Sequence, residues 1–160
     1  MSVNLSNTTP AAPAGGTNVK WQSDGSGNVS GYIQSAVELV GDGVDLTAQT
    51  ADVGPNTLVT TPNGYYRISA YIVVTMVDGA SSTLPKITIT WNDLDNGQGQ
   101  TFDLTPTVSG AGSNLLTTLK QSDMIVSAAS SATIDYATSG YASGTPATMK
   151  YAVHIRVEQL

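Results

Sequence analysis

A long alternating segment, residues 63–79, constrains the fold of this chain more than any other feature. It reads NGYYRISAYIVVTMVDG, and every second side chain from Tyr66 to Met76 is apolar. Successive side chains on a β-strand point to opposite faces of the sheet, so this pattern predicts a long strand with one face in the core. The opposite face is too apolar for an ordinary solvent surface and too polar for an interior. It carries Tyr65, Arg67, Ser69, Tyr71 and Val73.

Several shorter segments alternate in the same way and are separated by turn residues. The last of them, TMKYAVHIRVEQL, places Met149, Tyr151, Val153, Ile155 and Val157 on one face. No segment has the ten or more periodic residues that a stable helix usually needs. About eight short strands joined by turns predict an all-β fold, either a β-sandwich or a barrel, and eight strands in two sheets is the number found in a jelly roll.

Composition and charge exclude several classes of function. The 160 residues suggest one domain with an additional arm, and only 11% of them are charged. The net charge is −6 and the basic residues are scattered, so binding to nucleic acid or to an anionic membrane is disfavoured. The chain has no cysteine, which removes disulfides and thiolate chemistry. The longest apolar run is too short to cross a bilayer, and the N-terminus lacks the pattern of a signal peptide, so we expect synthesis in the cytoplasm.

The N-terminal residues 1–34 differ in composition and in hydrophobic periodicity from the rest of the chain. Residues 1–18 are rich in Pro, Ala, Gly, Asn and Thr, which predicts an extended or flexible arm. Alternating residues on either side of the turn SDGSGN, among them Val19, Trp21, Val29 and Ile33, predict either a small hairpin or a segment that becomes ordered only against a neighbour. Residues 35–160 are predicted to form the sandwich domain.

The segment NGYYRI resembles the signature of the middle strand in the tumour-necrosis-factor and complement-globular-head superfamily. That pattern runs Gly, any residue, Tyr, any residue, large apolar residue, and here it falls on Gly64, Tyr66 and Ile68. The late segment LKQSDMIVSA and a last strand that ends near the C-terminus also fit. The resemblance implies a jelly-roll homotrimer in which one sheet of each subunit faces the three-fold axis.

Both ends of the chain resemble those of small structural proteins of tailed bacteriophages, such as tail or fibre components. The N-terminal part of this resemblance is NLSNTTPAAPAGGTNVKWQSDGSGNVSGYI and the C-terminal part is YAVHIRVEQL. The resemblance implies that the protein is located in the virion.

The mixed face of the long strand is predicted to be the trimer interface. Its five residues, Tyr65, Arg67, Ser69, Tyr71 and Val73, have the composition of an interface, since Tyr and Arg are present and Lys and Glu are absent. Two alternatives stay open, because the chain's own arm could cover this face or the face could simply be exposed.

No residue pattern indicates catalysis, a metal or a cofactor. His154 is the single histidine and is interpreted as a surface or interface residue. The acidic segment NDLDNGQGQ, with Asp93, Asp95 and Asn96, fails the EF-hand pattern and is interpreted as a hairpin turn. Tyr141, in a glycine-rich loop, is a candidate ligand-loop residue that could stack on a sugar, although a plain loop residue is the better interpretation.

These observations favour a non-enzymatic virion structural protein, a trimeric jelly roll attached to other phage structural proteins through residues 1–34. Its place at the head or at the tail is left open. The alternative is a receptor- or carbohydrate-binding module that acts in host adsorption, with a host surface glycan or receptor as its partner. A polysaccharide hydrolase is a third hypothesis, disfavoured because no pair of carboxylates is placed for it.

Overall fold

A computed structural model describes residues 19–23, 29–33, 38–39, 43–60, 62–79, 81–110, 113–144 and 148–160. The chain divides into two compact units, Met1–Ala36 and Val37–Leu160. In the first unit, strands β1 (Val19–Ser23) and β2 (Val29–Ile33) pair antiparallel, with Val19 opposite Ile33. The predicted arm, residues 1–18, and the predicted turn SDGSGN, which ends at residue 28, lie outside the described residues, except for the serine at 23.

The described residues of the second unit form eight main strands and three short ones. The main strands are β4 (Val44–Gln49), β5 (Asn56–Val59), β6 (Gly64–Met76), β8 (Lys86–Asn92), β9 (Gly99–Thr105), β11 (Leu119–Ala128), β12 (Ile134–Ser139) and β13 (Lys150–Gln159). The two-residue strands are β3 (Glu38–Leu39), β7 (Thr83–Leu84) and β10 (Val108–Ser109). Among the described residues there is no α-helix, and therefore no helix that could cross a membrane.

The main strands form two antiparallel sheets. One has the order β11-β6-β13, with both β3 and β4 paired to β13, and the other has the order β5-β12-β8-β9. Strands that follow each other along the chain mostly change sheet, as they do in a jelly roll. The prediction of an all-β, jelly-roll type of β-sandwich is confirmed.

The core lies between the two sheets and is lined by the predicted alternating rows. On β6 the side chains from Tyr66 to Val74 that were predicted to face inward are at most 4% exposed. The buried row ends at Val74, because a bulge then interrupts the pairing of β6 with β13 between Lys150 and Tyr151. Met76, which lies beyond this bulge, is 46% exposed. The predicted row of β13 is buried along its whole length; its members are Met149, Tyr151, Val153, Ile155 and Val157.

A chain of hydrogen bonds ties the segment before β5 to the core. The Val53 N–H donates to Thr138 Oγ1 at 2.7 Å, and the Tyr151 hydroxyl donates to the Ala51 carbonyl at 2.7 Å. The Thr138 hydroxyl therefore donates to the Tyr151 oxygen, at 2.9 Å. Burial raises the pKa of Tyr151 to about 12, because the phenolate would lose its hydration there.

Candidate functional site

The residues predicted to form the trimer interface lie on the outer face of the β11-β6-β13 sheet. Tyr65 is open to solvent, since the residue is 52% exposed. Arg67 and Ser69 are also exposed, and Tyr71 and Val73 are half-buried. Contact of this row with other copies stays a prediction.

Two neighbouring strands extend this face around the centre of β6. Tyr71 lies opposite Gln121 on β11 and opposite His154 on β13. Ser69 lies in the same way between Asp123 and Arg156. These two cross-strand rows line a shallow concavity of about 540 Å³. We call it the outer cleft; its members are Ser69, Tyr71, Gln121, Asp123, His154 and Arg156.

The β13 side of the outer cleft is fixed by contacts within the subunit. The rings of Tyr71 and His154 stack, with centroids 5.2 Å apart. Asp45 on β4 contacts His154 Nδ1 at 2.6 Å through one carboxylate oxygen and accepts a hydrogen bond from Arg156 Nη2 at 2.8 Å through the other. The hydrogen bond from His154, followed by that from Arg156, lowers the pKa of Asp45. His154 was interpreted as a surface or interface residue, and it is half-buried within this cluster.

The β11 side of the outer cleft has different properties. Within the described part of the chain, the side chains of Gln121 and Asp123 make no hydrogen bond or ion pair, and both residues are exposed. Asp123 is also the single carboxylate among the residues that line the cleft. One side of the outer cleft therefore carries aromatic rings and a guanidinium that are held in place by other side chains. The other side carries an amide and a carboxylate that have no partner among the described residues.

Apolar side chains border the outer cleft at both ends of the strands. At one end, beyond the ion pair of Arg67 with Glu158 at 3.1 Å, Ile125 is 59% exposed. At the other end Leu119 lies opposite Val73 and is 42% exposed. The outer face therefore consists of a polar centre between two apolar margins.

Tyr141, the candidate ligand-loop residue, is committed to contacts inside the subunit. Its hydroxyl donates to the Met149 carbonyl at 2.6 Å, and its ring packs against Tyr151 with centroids 5.7 Å apart. The carboxylate of Asp52 holds the backbone N–H of Tyr141 at 2.9 Å. These contacts use much of the surface that stacking on a sugar would need, and a ligand role for Tyr141 stays a prediction.

The acidic segment between β8 and β9 forms a turn. Asp93 Oδ1 accepts hydrogen bonds from the N–H groups of Asp95 and Asn96, and Asn96 Oδ1 accepts one from Gln98. Gly97 has a φ of +67°, a conformation that glycine adopts at little cost. In the described residues, no group of three or more His, Cys, Asp or Glu side chains could hold a metal ion.

Three residues of this site were not singled out from the sequence: Gln121, Asp123 and Arg156. The alternation of LKQSDMIVSA places Gln121 and Asp123 on one face of a strand, but that pattern does not say which strand lies beside it. Their position next to Tyr71 and Ser69 depends on the pairing of β11 with β6.

Comparisons with known proteins find four chains of solved structures that are similar to this one. No family model matches the chain, and no curated protein matches it. The CBM22-1 xylan-binding domain from Paenibacillus barcinonensis Xyn10C is 17% identical, with 91% of this chain and 84% of that domain covered, at a TM-score of 0.33. The CBM22-1–GH10 modules of Clostridium thermocellum xylanase 10B, complexed with xylohexaose, are 10% identical at a TM-score of 0.33. That match covers 69% of this chain and only 26% of the xylanase chain. At these TM-scores neither likeness assigns a family or a ligand.

Proposed function

We propose that this protein is a non-catalytic module that binds a carbohydrate in the outer cleft. The observation that carries the proposal is the composition of the cleft: a stacked Tyr71–His154 pair on one side and the uncommitted polar groups of Gln121 and Asp123 on the other. Binding sites of this kind combine apolar or aromatic surface with a few convergent polar groups.

The chemistry of a sugar matches these groups. Its hydroxyls donate to a carboxylate such as that of Asp123 and accept from a guanidinium such as that of Arg156, while the amide of Gln121 can do both. Hydrogen bonds to charged groups are the stronger ones, and they give orientation to a neutral ligand. The C–H groups of a sugar ring suit the apolar body of an aromatic residue such as Tyr71, whose hydroxyl adds a polar tip.

The arrangement of carboxylates favours binding over hydrolysis. A glycosidase normally needs two carboxyl groups on either side of the scissile bond. In the outer cleft Asp123 stands alone, and the nearby Asp45 is engaged by His154 and Arg156. We therefore propose recognition without turnover.

A glycan array followed by calorimetry with the strongest ligand tests this function. Asp123→Ala should weaken binding about tenfold, because a charge-assisted hydrogen bond to the ligand is lost. Asp95→Ala is the matched control, since Asp95 is equally exposed and lies on the turn between β8 and β9. An array without saturable binding, or equal affinities for the two variants, contradicts a carbohydrate site in the outer cleft.

A second candidate function is a trimeric structural component of a virion, anchored through residues 1–34. The specific observation in its favour is the apolar margin formed by Tyr65 and Ile125, because large exposed apolar side chains on one face mark interaction surfaces. In this proposal the outer faces of three copies pack together, as the resemblance to the tumour-necrosis-factor superfamily implies.

Light scattering separates the two candidates. The trimer hypothesis expects three times the monomer mass of 16.5 kDa, and dissociation on Tyr65→Asp, because three buried carboxylates would lack partners. Tyr65→Phe serves as the control. A mass that never reaches three subunits, or a trimer that Tyr65→Asp leaves intact, contradicts packing through this face.

A further inference from the structure

Strand β11 lies at the border of its sheet and has an open edge. Among the described residues its only strand partner is β6, although an isolated bridge joins Asp93 to Ala128 at its end. Unpaired strand edges present N–H and C=O groups that can pair with another chain, and proteins commonly protect them with charged side chains, proline or a bulge. Residues 119–125 contain neither proline nor a bulge, and their charged residues are Lys120 and Asp123. Their pairing with β6 is continuous.

The hydrogen bonds at the two ends of β11 show which backbone groups face the open edge. The Val74 N–H donates to the Thr118 carbonyl at 3.1 Å, which makes this pair a hydrogen-bonded one. Hydrogen-bonded and non-hydrogen-bonded pairs alternate along an antiparallel ladder. The N–H and C=O groups that point away from β6 therefore belong to Leu119, Gln121, Asp123 and Ile125.

The opposite end of the strand agrees with this assignment. The Ser127 carbonyl accepts a hydrogen bond from the Leu94 N–H at 3.1 Å, and the Ala129 N–H donates to the Asn92 carbonyl at 2.8 Å. Both of these residues continue the same alternating series. The turn after β8 thus covers the edge from Ser127 onward, and no other described strand pairs with the edge of residues 119–125.

We propose that this open edge pairs antiparallel with β11 of a second copy of the chain, around a two-fold axis at Ser122. In this register Leu119 lies opposite Ile125 of the second copy, and Gln121 lies opposite its Asp123. Each of these pairs exchanges two backbone hydrogen bonds, because all four residues carry outward N–H and C=O groups. Such an interface is isologous, which is the usual way in which two identical chains associate.

The order of side chains along the edge argues for a second copy as the partner. On the outer face the edge carries Leu119, Gln121, Asp123 and Ile125, in this order. An antiparallel second copy presents them in the reverse order. The apolar side chains then lie opposite each other at the margins, and an amide lies opposite a carboxylate at the centre. The neighbouring registers are worse. An axis at Asp123 sets two carboxylates against each other, and an axis at Gln121 sets Leu119 against Asp123.

The pairing would cover apolar surface that is now exposed. Leu119 is 42% exposed and Ile125 is 59% exposed, and each would meet the other across the interface. Cross-strand apolar pairs of this kind stabilise sheets. Because the two-fold axis is perpendicular to the sheet, the two outer clefts would lie side by side on the same face.

Sedimentation velocity over a concentration series tests the proposal with variants of opposite sign. Gln121→Lys should lower the dimer Kd about tenfold, since two opposite-charge pairs replace two amide–carboxylate pairs, and Gln121→Asp should raise it about tenfold through two like-charge pairs. Gln98→Lys and Gln98→Asp are the matched controls on the turn between β8 and β9, and both should leave the Kd unchanged. A monomer at all concentrations, a trimer, or a dimer that is insensitive to the Gln121 variants overturns the proposal.

Hydrogen exchange gives an independent readout that does not depend on a variant. The amides of Gln121 and Asp123 should exchange slowly at concentrations where the dimer forms and rapidly after dilution. The amides of Lys120 and Ser122, which face β6, should be protected at both concentrations. Equal protection of both sets after dilution would refute pairing through this edge.

Discussion

Tyr151→Phe tests how much the buried hydroxyl chain contributes to the stability of the sandwich. The ring of Tyr151 is fully buried, so phenylalanine keeps the packing and removes only the oxygen. That oxygen accepts from Thr138 and donates to Ala51. Each intramolecular hydrogen bond contributes about 1 kcal/mol net, and the hydroxyl of Thr138, 4% exposed, is left without its acceptor. We expect the free energy of unfolding to fall by about 2 kcal/mol.

The same group gives the prediction a dependence on pH. The pKa of Tyr151 is about 12 in the folded protein, against about 10 in the unfolded chain. Because the folded pKa is the higher one, its contribution to stability is complete below pH 10 and is lost as the pH rises through 12. The loss corresponds to about 2–3 kcal/mol. The variant lacks this group, so the difference between wild type and Tyr151→Phe should shrink over this interval.

Urea unfolding measured at neutral pH and at several alkaline values provides the assay. The midpoint should move while the m-value stays constant, because the surface exposed on unfolding is unchanged. Tyr65→Phe is the control, since the phenol of Tyr65 is exposed and has no hydrogen bond among the described residues. A loss below about 0.5 kcal/mol at neutral pH, or a difference that does not change with alkaline pH, would refute the reasoning.

Two further substitutions address the backbone and the outer face. Gly54→Ala should destabilise the protein by more than Gly97→Ala. Both glycines have positive φ angles, so both substitutions strain the backbone. At Gly54, in addition, the new Cβ would lie 2.7 Å from the backbone oxygen of Tyr136, whereas at Gly97 it would meet nothing. Equal unfolding free energies for the two variants would contradict this. Asp45→Asn should reduce the loss of unfolding free energy at acid pH, which is the acid limb of the stability profile. The pKa of Asp45 is lowered in the folded state. The contribution of its carboxylate to stability is therefore present above pH 3.8 and is lost as the pH falls through the lower folded pKa. Identical acid limbs in wild type and variant would show that the contacts of Asp45 with His154 and Arg156 contribute nothing.

The strand pattern predicted the faces of the sheets well, because alternation is a local property of the chain. The apolar rows of β6 and β13 are the core rows of the structure. The segment LKQSDMIVSA, used for the family resemblance, coincides with β11 from Leu119 to Ala128. Alternation of apolar and polar residues within one segment predicts which face of a strand is buried, so this prediction does not require the neighbouring strand to be known.

The outer cleft could not be predicted in the same way, because it depends on pairing between distant segments. His154 meets Asp45 across 109 residues of sequence, and no local pattern connects them. The exposed leucines after residue 113 illustrate the opposite error. The apolar segment LLTTL favours a strand, but its Leu115 and Leu116 lie in a loop before β11 and are 50% and 62% exposed. Composition alone does not distinguish an apolar loop from a strand.

The proposed edge pairing and the proposed carbohydrate site are thermodynamically linked, because Gln121 and Asp123 take part in both. Their side chains line the outer cleft, and their backbone groups face the open edge of β11. A ligand long enough to cross from one cleft to its neighbour would bind the pair of subunits more tightly than a single subunit, through effective concentration. Linkage then requires that such a ligand lower the dimer Kd by the same factor by which dimerisation raises its affinity. A sugar that fits within one cleft cannot bridge the two subunits and would not strengthen the dimer in this way, so ligand length separates a site that acts alone from one that is shared by two copies.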